Sequence, residues 1–143
     1  MQAAACGLWE SGHGSGLNPA QVVIVGVRDI DGPEALLMQQ AGVRKLSPDE
    51  ATAETVLSII GDKPVWIHVD WDALEPGNGP AAYAIANGLQ PERLRAIFEA
   101  IPEAQIAGIE LAELEASRDR SSDAAAIDCL LEIVWPLAGT RKA

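Results

Sequence analysis

Positive charge is scarce in this chain. Lys and Arg total 10 against 21 Asp and Glu, a net charge of −11. A phosphate backbone needs a basic face to bind, so nucleic acid is excluded as a partner. Histidine is scarcer still: His13 and His68 are the only two among 143 residues. Cys6 and Cys129 fit neither a zinc spacing nor a disulfide framework. They read as ordinary thiols of a reducing compartment. Nowhere does the chain approach the ~18 consecutive apolar residues of a membrane span. The amino-terminal stretch from Met1 to Trp9 lacks the basic start of a signal peptide. These absences give the expectation of a cytoplasmic protein that touches no membrane. Low-complexity segments and internal repeats are missing too, and the length suits one domain with one core.

What is present alternates between two periods. Residues 1–10 read as a helix end and 12–16 as a glycine-rich loop. That loop precedes a strand, whereas a phosphate loop follows one, so His13 reads as a loop residue. Residues 21–27 (QVVIVGV) form an apolar run of strand length. Pro33 opens a helix with Leu36, Leu37 and Ala41 as its apolar positions, stopped by Gly42. Val43 to Leu46 is a short strand, and Ser47-Pro48-Asp49-Glu50 is a capping box for a helix carrying Val56, Leu57 and Ile60. After the strand that begins near Pro64, a long loop runs from Ala73 to Leu89; such loops usually carry function. Pro91 opens a helix with Leu94, Ile97, Phe98 and Ile101 in its stripe, and residues 106–114 form a fourth strand. Ser121-Ser122-Asp123 caps a last helix whose Ile127, Leu130, Leu131 and Val134 face the core.

Strand and helix thus alternate four times. The pattern predicts a three-layer α/β/α fold around a mainly parallel, four-stranded sheet. It predicts one domain over residues 1–143, with a helix end and loop at 1–19, the α/β core at 20–138 and a tail at 139–143. Ligands of such sheets bind outside the carboxyl ends of the strands, where Arg28, Asp29, Asp31, Asp70, Asp72, Glu113 and Glu115 fall.

The densest cluster is Val65-Trp66-Ile67-His68-Val69-Asp70-Trp71-Asp72. As a continuous strand it would place Asp70 and Asp72 on one face, about 7 Å apart. Two carboxylates so close repel each other and are costly to desolvate, a conflict that a bound cation resolves. The alternative is that the strand has ended and both are solvated turn residues.

Three segments in order resemble the ureohydrolases, the family of arginase, agmatinase and formimidoylglutamase. Residues 22–31 with Glu34 are similar to the family's V-x-I-G-x-R-D-x-D-x-x-E; residues 68–76, with Pro80 and Gly88-Leu89, to its S/H-x-D-x-D-x-x-D-P and G-G-L; residues 108–113 to its G-x-D-x-x-E. The resemblance implies a partial arginase-like fold. It implies that Asp70 and Asp72 match aspartates binding a pair of manganese ions, whose bridging hydroxide attacks a guanidinium carbon. It gives Glu113 the part of the carboxylate that holds the guanidinium.

Departures from the family are equally specific. The upstream metal-binding stretches G-G-D-H and D-A-H-x-D do not occur, and His68 stands where the family has a non-ligand. Glu75 replaces an aspartate behind the ligands, Ala82-Tyr83-Ala84 replaces small residues near the guanidinium, and Glu115-Ala116 replaces Asn-Pro. Affinity follows ligand count, so two aspartates alone hold divalent ions weakly. In the family sheet the strand of D-A-H-x-D lies between the strands at 21–27 and 64–72; here those two either pair directly or await another chain. The reading is therefore the carboxyl-terminal half of a ureohydrolase, catalytically silent alone. Its alternative is a manganese-dependent hydrolase of guanidino compounds whose site is completed by a partner chain or a swapped dimer. A homo-oligomer or a complementary chain is expected either way, because half a core exposes apolar surface. An unrelated α/β domain holding one Mg is disfavoured, since no Lys lies between Lys63 and Lys142.

Overall fold

In a computed structural model of the chain, Cys6, Gly12 and residues 16–79, 84–115 and 120–138 are described. His13, the tail at 139–143 and, Cys6 apart, the expected helix end at 1–10 lie outside these residues. Four strands alternate with four helices: β1 (Val23–Val25), α1 (Gly32–Ala41), β2 (Arg44–Leu46), α2 (Ala53–Ile60), β3 (Val65–Asp70), α3 (Pro91–Ala100), β4 (Ile106–Ala112) and α4 (Arg120–Val134). β1 pairs with β2 and β3 with β4, both in parallel, so the α/β class and the strand direction are as expected.

The single four-stranded sheet is not what forms. Among the described residues the strands make two two-stranded sheets, and no ladder joins β1 to β3. The first of these sheets is short because Gly26 turns out of it at φ 83°. The amides of Gly26 and Val27 both donate to Leu46 O, which ends the ladder. A side chain at Gly26 is excluded twice, by that φ and by Leu89 Cδ1, which would lie 2.7 Å from its Cβ.

Local chemistry sets the helix ends, not always where the motifs suggest. Asp31 caps α1, its Oδ1 accepting from Glu34 N at 2.8 Å, and Gly42 closes that helix at φ 76°. The capping box at Ser47 does form: Ser47 N and Oγ donate to Glu50 Oε2 at 2.9 and 2.8 Å. It closes an isolated turn, however. α2 begins three residues beyond Glu50, at Ala53, where Thr52 accepts from Thr55 N. The box is thus a turn signal here and Thr52 is the true cap. The last helix likewise opens at Arg120, one residue ahead of the expected cap.

The core is built by α2, α3, α4 and the loop after β3. Val56, Leu94, Ile97, Phe98, Leu130, Ile133, Val134, Leu74 and Leu89 are buried together with Val69 and Trp71. In α4, Leu130 and Val134 are buried as expected, but Ile127 and Leu131 are exposed and Ile133 takes their place. α1 departs furthest. It buries no residue, and Leu36 and Leu37 stand 54% and 64% exposed. Its apolar positions do not gather on one side, so it adds nothing to the core. The two faces of β3 differ as well. Val69 is buried and Val65 and Ile67 pack against the core, while Trp66 is 67% exposed on the other face. The indole lies over Gly108, where a Cβ would come within 2.3 Å of the ring. No described helix is long and apolar enough to cross a membrane.

Two outcomes follow from this packing. Leu89→Ala, at a site 1% exposed, should cost about 2–5 kcal/mol in urea denaturation. The Ser47 backbone N–H, helped by its hydroxyl, holds Glu50 below the ordinary carboxylate value. A group with a lowered folded value lends stability above its unfolded value and loses it as pH falls through the folded one. Ser47→Ala should therefore raise the Glu50 midpoint part of the way back, read by carboxyl NMR shifts.

Candidate functional site

Of the acidic residues singled out in the sequence, Asp70, Asp72, Glu113 and Glu115 fall at one end of the second sheet, while Asp29 and Asp31 follow β1 of the first. Asp70 is the last residue of β3 and stands in register with Ala112, the last of β4. Glu113 follows immediately. The strand stops at Asp70, though, and Trp71–Ala73 is a turn of 3-10 helix. Asp70 caps that turn, its Oδ1 accepting from Asp72 N at 2.9 Å. The expectation of two aspartates on one strand face therefore fails: Asp72 leaves β3 through the turn, because Trp71 rotates into the core and is 2% exposed. Both aspartates remain half-buried, and Glu113 is exposed. Glu113 adopts φ 61°, a left-handed backbone that a residue with a side chain seldom takes.

Whether manganese fits can be judged from the donors. Asp70 and Asp72 supply carboxylate oxygens of the right hardness. One oxygen of Asp70 is already engaged by the turn, and among the described residues no group of three or more His, Cys, Asp or Glu is placed to hold a metal ion. Glu113 and His68 do not join the pair. The residues present do not make a self-sufficient site.

His68 is engaged elsewhere. Its Nδ1 lies 3.0 Å from Glu110 Oε2, across an in-register pair of β3 and β4. Sequence reasoning missed this partner, although Glu110 sits where the G-x-D-x-x-E pattern has a shorter aspartate. It placed Arg28 at the strand ends but missed that this residue organises the site. The Arg28 guanidinium donates from Nη2 to the carbonyls of Asp72 and Leu74, and from Nη1 to those of Ala73 and Gly26 at 3.4 Å. Its Nε donates to Ile85 O at 3.0 Å. One planar cation thus gathers the loop on both sides of the acidic turn. A signal was visible in the R-D pair of the first motif, but a guanidinium aimed at carbonyls leaves no periodicity.

The loop is closed from the other side by Glu75, whose Oε2 accepts from Gly88 N at 2.6 Å. Leu74 and Leu89 form an isolated parallel bridge, with Glu75 N donating to Leu89 O and Leu89 N to Ala73 O. A Cβ on Gly88 would lie 2.4 Å from the Leu74 carbonyl, so only glycine fits there. The cavity under the loop, lined by Trp71, Leu74, Glu75 and Pro76, holds about 60 Å³. That is far below the several hundred Å³ of a small-molecule pocket. Pro80, Ala82 and Tyr83 lie outside the described residues, as does Ala116; Ala84 lines the cavity and Glu115 is exposed.

Parallel strands with helical crossovers and acidic residues at the strand tips define a partial arginase-like α/β architecture, of the kind the three motifs resemble. The sequence model of the arginase family matches residues 5–135, and the chain belongs to that family. It is 53% identical to an N(omega)-hydroxy-L-arginine amidinohydrolase of Streptomyces lavendulae over 92% of its own length and 48% of the relative's. An agmatinase of Klebsiella pneumoniae is 27% identical over 87% of the chain and 42% of the relative. The fold is similar to that of Bacillus subtilis arginase, with TM-score 0.80 at 20% identity, covering 99% of this chain and 56% of that one. The chain therefore spans about half the length of the curated relatives it matches.

Arg28→Ala removes a charged donor from a half-buried cluster of carbonyls and should cost about 1.5–3 kcal/mol, read by thermal or urea unfolding. Gly88→Ala should lower the unfolding midpoint more than Gly77→Ala in a thermal melt: a Cβ at Gly88 collides with the Leu74 backbone, whereas at Gly77 nothing lies within 4 Å and only the strain of φ 91° is added.

Proposed function

We propose that this chain carries the second half of a ureohydrolase site and turns over no guanidino compound by itself. The observation that carries this reading is the shortage of ligands: Asp70 and Asp72 at the end of β3, with no third His, Cys, Asp or Glu placed to hold a metal ion with them among the described residues. The upstream ligand stretches of the family are missing from the sequence as well. In the complete site, Asp70 and Asp72 would be manganese ligands and Glu113 would hold the cationic guanidinium. Manganese would supply a hydroxide nucleophile there; the chain's own residues supply only the floor beneath it. Arg28 and Glu75 fix the loop that holds the aspartates in place. The substrate class is taken from the Streptomyces relative, an amidinohydrolase of a hydroxylated arginine. Residues 20–138 would then form one structural unit within the larger fold.

A second reading, a hydrolase completed by a partner chain or a swapped dimer, is favoured by Glu113. Its left-handed backbone costs about 1–3 kcal/mol, a strain that tends to persist where a side chain must be aimed. A strand end without a task is more cheaply made by glycine.

Calorimetric titration with manganese chloride, paired with assays for urea release from arginine, agmatine and N-hydroxyarginine, separates the readings. The expected result for the chain alone is no sub-micromolar binding and no turnover. Tight binding by the monomer, or turnover by it, would sink the proposal. Turnover confined to a dimer that Asp70→Asn abolishes would support the second reading.

A further inference from the structure

The chain has three asparagines, and two of them stand before glycine: Asn78–Gly79 and Asn87–Gly88. Asparagine before glycine is open to attack from its own backbone, because glycine has no side chain to keep its amide nitrogen away from the neighbouring carboxamide. The two pairs sit near opposite ends of the loop after β3, and the fold treats them differently. Gly88 N donates to Glu75 Oε2 at 2.6 Å, a short bond to a carboxylate. The negative charge held against that amide opposes its deprotonation. The backbone there has no slack either: a Cβ on Gly88 would collide with the Leu74 carbonyl, and the next amide, Leu89 N, is bonded to Ala73 O. Gly79 N, by contrast, finds no acceptor among the described residues. Asn78 itself is held by two neutral bonds, its N and Nδ2 both donating to Glu75 O at 3.2 and 3.0 Å. Gly79 also lines the cavity of about 60 Å³ under the loop, which has room for a water.

We infer that Asn78 is a site of spontaneous deamidation in the folded chain, and that Glu75 guards Asn87 from the same reaction. In the first step Gly79 N attacks Cγ of Asn78, and the new N–C bond closes a succinimide ring. The amide proton passes to solvent. The carboxamide C–N bond breaks, and its nitrogen takes up a proton and leaves as ammonia. Water then adds to one of the ring carbonyls and breaks its bond to the ring nitrogen. Opening at Cγ gives aspartate, and opening at the main-chain carbonyl gives isoaspartate. No electrons are gained or lost, and water is the only co-reactant. Either product loses the Nδ2 donor to Glu75 O and adds a carboxylate to a chain already at −11. Isoaspartate also lengthens the main chain by a methylene. The turn that begins at Glu75 is thereby weakened.

The test incubates the whole chain, without metal or substrate, in warm, mildly alkaline buffer and follows both asparagines by peptide mass spectrometry. Each rate is divided by that of the same asparagine in the guanidinium-denatured chain, which removes the effect of neighbouring sequence. Enzymatic carboxyl methylation identifies isoaspartate. Asn78 should convert in the folded chain, with a ratio roughly 10-fold or more above that of Asn87, because a bond to a charged acceptor must break before Gly88 N is free. Glu75→Ala should raise the Asn87 ratio by roughly 10-fold or more. Glu75→Gln, which keeps an oxygen for Gly88 N, should raise it less. Protection of the Leu89 amide in hydrogen exchange shows whether the loop stays closed in each variant. Three results would overturn the inference: Asn78 intact in the folded chain while it converts in guanidinium, equal ratios at the two sites, or an Asn87 ratio unmoved by Glu75→Ala with Leu89 still protected. Should Glu75→Ala lose that protection, Glu75→Gln carries the test, and an Asn87 ratio unmoved by it overturns the inference in the same way.

Discussion

The grip of one guanidinium on a ring of carbonyls is what the rest of this molecule depends on. Arg28 leaves the first sheet just beyond β1 and donates to the loop leaving the second, so its side chain ties together at one end two sheets that share no ladder. The carbonyls of Asp72, Ala73 and Leu74 all accept from its guanidinium, and Ala73 O accepts from the Leu89 amide as well. A cation with a rigid fork of donors satisfies several at once, which lysine's point charge cannot do. Asp70 contributes the matching half of the arrangement, accepting the amide that the turn exposes.

Much of this was readable from the residues, and the failures have physical causes. The four strands and four helices appear in the expected order because long apolar periods and Pro or Gly stops mark them directly. Family membership was legible because three motifs kept their order. The neighbours of each element were less so. Leu36 and Leu37 look like core residues to a periodic reading, but α1 finds nothing to pack against. Trp66 looks buried by its bulk, but burial depends on a covering layer that no local pattern encodes. The capping box at Ser47 satisfied its hydrogen bonds and still opened no helix, because Thr52 offers a second cap with a longer run behind it. At the site, Asp70, Asp72 and Glu113 reached one end of the sheet as expected, while the turn at Trp71 altered how the two aspartates face each other.

The chain spans about half the length of the curated relatives it matches. Among the described residues, metal ligands, strand pairing and cover over Trp66 of β3 all fall short. Strand pairing and ligand supply are separate kinds of physics, one built on backbone amides and the other on carboxylate charge. Their joint deficit is therefore more informative than either alone. By contrast, the described parts of the loop, residues 71–79 and 84–89, are tied to each other by Glu75 and the Leu74–Leu89 bridge and to the end of β1 by Arg28.

The indole of Trp66 over Gly108 carries an evolutionary consequence. Any side chain appearing at position 108 would evict the ring, and loss of the ring would leave a bare glycine in the middle of a strand. Neither position is free to drift by itself. Across descendants of this sequence the two should be inherited as a couple, and a lineage that changes one should carry a compensating change at the other.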